Sequence, residues 1–179
     1  MPTLWLVSDA RNDAVLETAL RRLPRGSGLI FRHHHLPEAA RRRRWRTLAG
    51  IARRRGHATV LAGDARTARS WGADGAYGSP RRLTRGPALA RLVTAHTLRE
   101  IGAAHRARAS AILLSPVFAT RSHPGARPLG PVRFRLLAAR AKVPVIALGG
   151  LDASRARRLG TKRWAAIDGL SGGQAPAHP

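Results

Sequence analysis

The feature that most constrains this chain is an alternation. Short apolar runs rich in β-branched residues recur from end to end, separated by Ala/Arg/Leu segments in which apolar residues return every three or four positions. That pattern marks βα units laid around a parallel sheet, because each run must bury both faces and each intervening helix only one. Eight runs fit a strand: Leu4–Ser8, Gly28–Arg32, Ala58–Ala62, Gly75–Tyr77, Leu92–Ala95, Ala111–Ser115, Val143–Leu148 and Trp164–Ile167. Helices are expected over Ala14–Leu23, Pro37–Arg55, Ala65–Trp71, Leu98–Ala107, Val132–Ala141 and Ala153–Leu159. The fourth connection, Pro80–Arg91, is short and carries prolines, so it is left unassigned.

Eight strands with intervening helices favour a (βα)8 TIM barrel over a flavodoxin-like sheet with fewer strands. The chain has 179 residues, below the roughly 200 usual for that barrel, so its helices must be shortened. One domain over residues 1–170 follows, with 171–179, rich in Gly, Pro and Ala, expected as a flexible tail. In either fold, ligands are expected beyond the carboxyl ends of the strands.

Composition narrows the function classes. The sequence has no cysteine, which excludes disulfides, thiolate metal sites and cysteine nucleophiles. No apolar run is long enough to cross a bilayer and the first residues lack a targeting pattern, so a cytoplasmic protein without a membrane partner is expected. The formal net charge of +24 raises nucleic acid as a partner. Against it, the basic residues are spread from Arg11 to Arg163, and aromatic residues for base stacking are only 4% of the chain. Arginines on solvated helix faces account better for the charge, with Arg41–Arg46 a solvated face whose Trp45 packs inward.

Two segments carry the chemistry. After the sixth run, residues 115–130 form a long loop holding Ser115, Thr120, Ser122, His123 and two arginines, a set suited to binding an anion. The seventh run ends in Gly149-Gly150, where missing side chains let backbone N–H groups approach a phosphate beside the start of a helix. A tight turn needs glycine as well, so the pair has a structural reading of equal weight.

Ser115-Pro-Val-Phe-Ala-Thr-Arg-Ser-His-Pro-Gly125 resembles the Gly-Pro-(Ile/Val)-Phe-x-Thr-x-(Thr/Ser)-Lys-x-Gly loop of thiamine phosphate synthases, and Pro144-Val-Ile-Ala-Leu-Gly-Gly150 resembles their Pro-Val-Val-Ala-Ile-Gly-Gly strand. Leu4–Asp9, Gly72–Gly75 and Thr94–Thr97 add weaker matches, so the chain resembles a divergent member of the thiamine phosphate synthase/TenI family nearly throughout. The resemblance implies a transferase of thiamine biosynthesis that joins hydroxymethylpyrimidine diphosphate to thiazole phosphate, releasing pyrophosphate, with Mg²⁺ on the diphosphate. Phosphorylated small molecules are the implied partners, and assembly into a homo-oligomer is compatible with the sequence.

Carried over residue by residue, the resemblance makes Arg32, Asp64 and His123 the catalytic set. Arg32, with His34 after it, stands in the family's Gln-x-Arg-x-Lys pattern and would meet diphosphate oxygens. Asp64 keeps one carboxylate of an Asn-Asp pair and is the implied metal ligand, while the family's second aspartate falls near Arg81 or Arg82. His96, Thr120, Ser122, Gly149 and Gly150 complete the substrate and phosphate contacts, and His123 replaces a lysine. Asp168 stands at a phosphate-binding serine, and Pro116 where TenI-type tautomerases have a histidine, so a thiazole-binding relative that does not perform the condensation is the alternative.

Several of these residues have plainer readings. Consecutive strand residues face opposite ways, so of His33-His34-His35 only His33 and His35 could share a metal. Asp9 and Asp64 each follow a strand and could cap the next helix. His96 could be a core histidine.

Overall fold

The computed structural model describes residues 1–121, 125 and 127–170. Eight strands alternate with helices: β1 (Leu4–Val7), α1 (Leu16–Arg22), β2 (Gly28–Phe31), α2 (Glu38–Arg54), β3 (Ala58–Ala62), α3 (Ala65–Ser70), β4 (Gly75–Gly78), α4 (Pro80–Leu83), β5 (Ala90–Ala95), α5 (Leu98–Arg106), β6 (Ala111–Leu114), α6 (Gly130–Ala138), β7 (Val145–Leu148), α7 (Ala153–Leu159) and β8 (Trp164–Ala166). All neighbours pair in parallel, and β1 pairs with β8 as well as β2, closing the barrel. The expected (βα)8 TIM barrel is the fold.

Its helices are indeed short. α4 is a single turn begun by Pro80, in the connection that the sequence left unassigned. The entry to α1 is a 3₁₀ turn over Ala10–Val15, capped by Asp9, whose carboxylate accepts the Arg11 amide while Asn12 returns a bond to the Asp9 amide. This capping box starts the helical segment earlier than apolar periodicity places it. After β8, Asp168–Leu170 makes another 3₁₀ turn. Residues 171–179, expected as a tail, lie outside the described residues, as do Ser122 and His123.

Strand side chains alternate between two cores. Trp5, Val7, Ile30, Val60, Leu92, Leu113 and Ile146 fill the barrel interior, whereas Leu6, Leu29, Phe31, Leu61, Val93 and Ile112 pack against the helices. Trp5 is accommodated because its register partner is Gly28: a Cβ there would lie 2.2 Å from the indole ring. α2 buries Trp45, Leu48, Ala49 and Ala52 along one stripe, as its spacing predicts. The Trp45 indole N–H donates to the Trp71 carbonyl at 2.9 Å.

The arginines of α2 are less uniformly solvated than composition suggests. Arg41 turns inward, donating to the Arg32 carbonyl at 2.9 Å and the Ala62 carbonyl at 2.6 Å and stacking on Phe31 and Trp71. Arg44 binds Asp13 and Glu17, each at 2.7 Å. Both lock α2 to its neighbours. Among the described residues, no helix is long and apolar enough to cross a membrane.

Candidate active site

The strands open at their carboxyl ends into a cleft of about 940 Å³. Of the expected site residues, Arg32, His34, His96, Thr120, Gly149 and Gly150 line it together; Asp64 does not. Each sits where the fold aims side chains at the rim: Arg32 follows β2, His96 follows β5 and the glycines follow β7.

The cleft is cationic. Arg32, Arg82, Arg121, Arg127, Arg133 and Arg155 line it, against the carboxylates of Asp152 and Asp168 alone. Both acids are engaged. Asp152 caps α7 by accepting the Arg155 amide at 2.8 Å, and Asp168 pairs with Arg11 at 3.4 Å. Arg11 also holds Asp9 at 3.0 Å, and Arg32 approaches the other Asp9 oxygen at 4.0 Å. Burial would raise the Asp9 carboxyl, but the hydrogen bonds from Arg11 and the charges of Arg11 and Arg32 outweigh it and hold the group below its ordinary value. The charge of Asp168 is thus partly answered from the Arg11 side.

His34 shows the same field from the receiving end. Burial first, then the charges of Arg41, Arg32 and Arg82, hold its pKa below the ordinary value, so the imidazole favours its neutral form. His33 leaves the cleft altogether. In the left-handed region at φ 42°, it is buried, with Nδ1 on the Ser8 hydroxyl and Nε2 on Asp13, both at 2.8 Å. These bonds occupy both ring nitrogens and remove the shared metal site with His35. His96 lines the cleft while its Nδ1 bonds the Ser115 carbonyl.

Gly149 and Gly150 have a structural duty that is explicit. Their φ values are 103° and 61°, in the left-handed half of the map. A Cβ on Gly149 would lie 2.7 Å from Pro116, and one on Gly150 would lie 2.4 Å from the Ala119 carbonyl oxygen. The loop after β6 therefore lies directly on the pair, bonded by the Val117 amide to the Leu148 carbonyl at 2.9 Å and the Phe118 amide to the Gly149 carbonyl at 3.1 Å. Arg155 clasps the arrangement, donating to the Gly150 carbonyl at 2.7 Å and stacking on Phe118.

Asp64, the expected metal ligand, caps α3. Its carboxylate accepts the Arg66 amide, the Thr67 amide and the Thr67 hydroxyl, each at 2.9 Å. The Thr67 amide bond leads the causes that hold its pKa down. Among the described residues no three His, Cys, Asp or Glu side chains gather as a metal site. The donors on this side of the rim are therefore guanidinium groups and a committed cap, which do not fit a Mg²⁺ ion that wants free oxygen ligands.

Arg121 and Arg127 are the two arginines of the loop expected to bind an anion, whereas sequence reasoning missed Arg82, Arg133 and Arg155 as cleft residues. A usable signal existed, since all three lie in the helix that follows a strand, the part of a βα unit nearest the rim. Against so many arginines it did not stand out.

Among solved structures, a thiamine phosphate pyrophosphorylase from Pyrococcus furiosus superposes with TM-score 0.81 at 22% identity, over 96% of this chain and 88% of that one. One from Bacteroides thetaiotaomicron gives TM-score 0.63 at 14% identity, over 94% and 84%. The YdjI aldolase of Escherichia coli K12 gives 0.66 at 8% identity, over 93% and 74%, so the superpositions speak for the barrel alone. A curated Aquifex aeolicus (strain VF5) protein named "Putative thiamine-phosphate synthase 2" is 40% identical over 58 residues, 32% of this chain and only 31% of that relative's length. The model of the family described as thiamine monophosphate synthase matches residues 4–170, nearly the whole barrel, and the chain belongs to that family.

Proposed function

We propose that the chain is a thiamine phosphate synthase-type transferase. In this reaction the C–O bond between the pyrimidine methylene and its diphosphate breaks, the thiazole nitrogen lone pair forms the new C–N bond, and pyrophosphate leaves. The protein would need no covalent nucleophile: its work is to hold two phosphorylated substrates in line and to answer the charge growing on the departing diphosphate. The observation that carries the reading is the rim itself, where six arginines face a cleft with two already engaged carboxylates. Arg32 is the proposed diphosphate contact, with Thr120, Ser122 and His123 on the loop after β6 as further substrate contacts. Neutral His34 would donate or accept a hydrogen bond without adding charge, and His96 would offer its second ring nitrogen to the substrate.

The test is formation of thiamine phosphate from hydroxymethylpyrimidine diphosphate and thiazole phosphate, with Arg32→Ala beside the natural protein. Product lost in the variant supports the reading. A second reading is favoured by Asp64, whose carboxylate is spent on Thr67 and Arg66: a family member that binds a phosphorylated thiazole without condensing it. Tight binding of thiazole phosphate with no product would select it.

A further inference from the structure

The side of the rim between β2 and β4 holds an arrangement that the synthase reading leaves unexplained. Arg82, in the single turn α4, runs its stem back over the strand ends: a Cβ on Gly78 would lie 3.5 Å from Arg82 Cδ and 3.7 Å from the Gly63 carbonyl oxygen. Its stem thus packs over Gly78, which the Gly63 carbonyl also borders. Arg82, Arg32 and His34 all line the cleft, and the charges of both arginines help to hold the His34 pKa down. Behind them lies Arg41, fixed to the Arg32 and Ala62 carbonyls. The Arg82 amide donates to the Ser79 carbonyl at 3.1 Å, while the Arg82 guanidinium makes no ion pair with a carboxylate among the described residues. Of the two nearby carboxylates, Asp64 is turned to α3, and Asp9 is held by Arg11 at 3.0 Å and reaches Arg32 only at 4.0 Å.

We propose that Arg32 and Arg82, backed by Arg41, take the charge-neutralising place of a divalent cation, so that this cleft binds and releases a diphosphate group without metal. The inference rests on the synthase reading for its substrate. Physically it follows from the donor set. A Mg²⁺ ion needs oxygen ligands, and the only carboxylate of the β3 turn already accepts three hydrogen bonds; a guanidinium, by contrast, presents paired N–H donors that match diphosphate oxygens directly. An ion brought in with the diphosphate would also meet the repulsion of three guanidinium charges, faced on this side by the Asp9 carboxylate 4.0 Å from Arg32.

The experiment is a calorimetric titration of inorganic pyrophosphate into metal-stripped protein in EDTA, repeated with Mg²⁺ in excess. Binding is expected in EDTA, with no tightening when Mg²⁺ is added. Arg82→Gln should weaken it about tenfold or more, as loss of a charge-assisted contact does. Arg140→Gln, the same charge change on an exposed residue away from the cleft, should leave it within about twofold. Pyrophosphate binding seen only with Mg²⁺, and abolished by Asp64→Asn, would overturn the inference. Product formation separates the two readings. Thiamine phosphate made only with Mg²⁺ upholds the synthase and overturns the metal-free site, whereas metal-free pyrophosphate binding without product upholds the site and refutes the synthase.

Discussion

Thr67 holds both carboxylate oxygens of Asp64: Oδ1 accepts its backbone N–H and Oδ2 its hydroxyl, each at 2.9 Å. The pair closes the first turn of α3, a six-residue helix too short to persist on its own. Replacing Asp64 by Ala should therefore cost about 1 kcal/mol of stability, within the 0.5–2 range of lost caps, and Asn should recover most of it. Urea unfolding midpoints of the two variants check this. A stability unchanged in Asp64→Ala would mean that the carboxylate serves something other than the cap.

Gly28→Ala tests the packing of the barrel interior. The new methyl would meet the Trp5 ring at 2.2 Å, and Trp5 is 2% exposed with its indole N–H on the Pro2 carbonyl. Neither ring nor strand has room to yield, so a loss of roughly 1–3 kcal/mol or more is expected, well above the effect of Ala for Gly on an open strand. Thermal unfolding reads it directly, and the double variant Gly28→Ala/Trp5→Leu should recover part of the loss.

These two residues also show how far the sequence could be read. The order of strands and helices was legible because burial on both faces enforces apolar runs and burial on one face enforces a stripe, so β3 falls on residues 58–62 and the stripe of α2 contains Trp45 as expected. α4 was not legible, since one turn is shorter than any period. At the site, Arg32, His34, His96, Thr120 and the Gly149-Gly150 pair were found because position after a strand is a local property. Whether the Asp64 carboxylate faces the cleft or the first turn of α3 is decided by Thr67 three residues on, and a strand-end acid reads the same in both cases. Gly28 and Trp5 lie on different strands, and only the register reveals their contact.

Acid should weaken the fold in two stages. Burial leads the causes that hold His33 and His57 below their ordinary pKa. The unfolded chain thus binds protons first, and stability present above about pH 6.5 is lost as pH falls below that value. Asp9, Asp13 and Asp64 are also held below their ordinary pKa, so their contribution is present above about pH 4 and is lost on further acidification. Urea midpoints measured at pH 8, 5.5 and 3 should fall at each step. A profile flat from pH 8 to 5.5 would contradict the buried neutral state of His33 and His57.

Gly150→Ala should separate loop placement from folding. The added Cβ would lie 2.4 Å from the Ala119 carbonyl oxygen at a φ of 61°, so the loop carrying Thr120 must lift from β7. We expect binding of thiazole phosphate to weaken about tenfold or more, with a stability loss of about 1–2 kcal/mol from the positive φ. Unchanged binding would place the loop outside the substrate contacts.

If the arginine rim serves the condensation, Arg32 must matter to the rate of the reaction. The most direct measurement is the rate of thiamine phosphate formation from the two phosphorylated precursors, in the natural protein and in Arg32→Ala. Product is expected from the natural protein, with a rate lowered about a hundredfold or more in the variant, as loss of a charge-assisted contact to a departing diphosphate would cause. No product from a folded natural protein that still binds thiazole phosphate, or equal rates in the two proteins, would contradict that role of the rim.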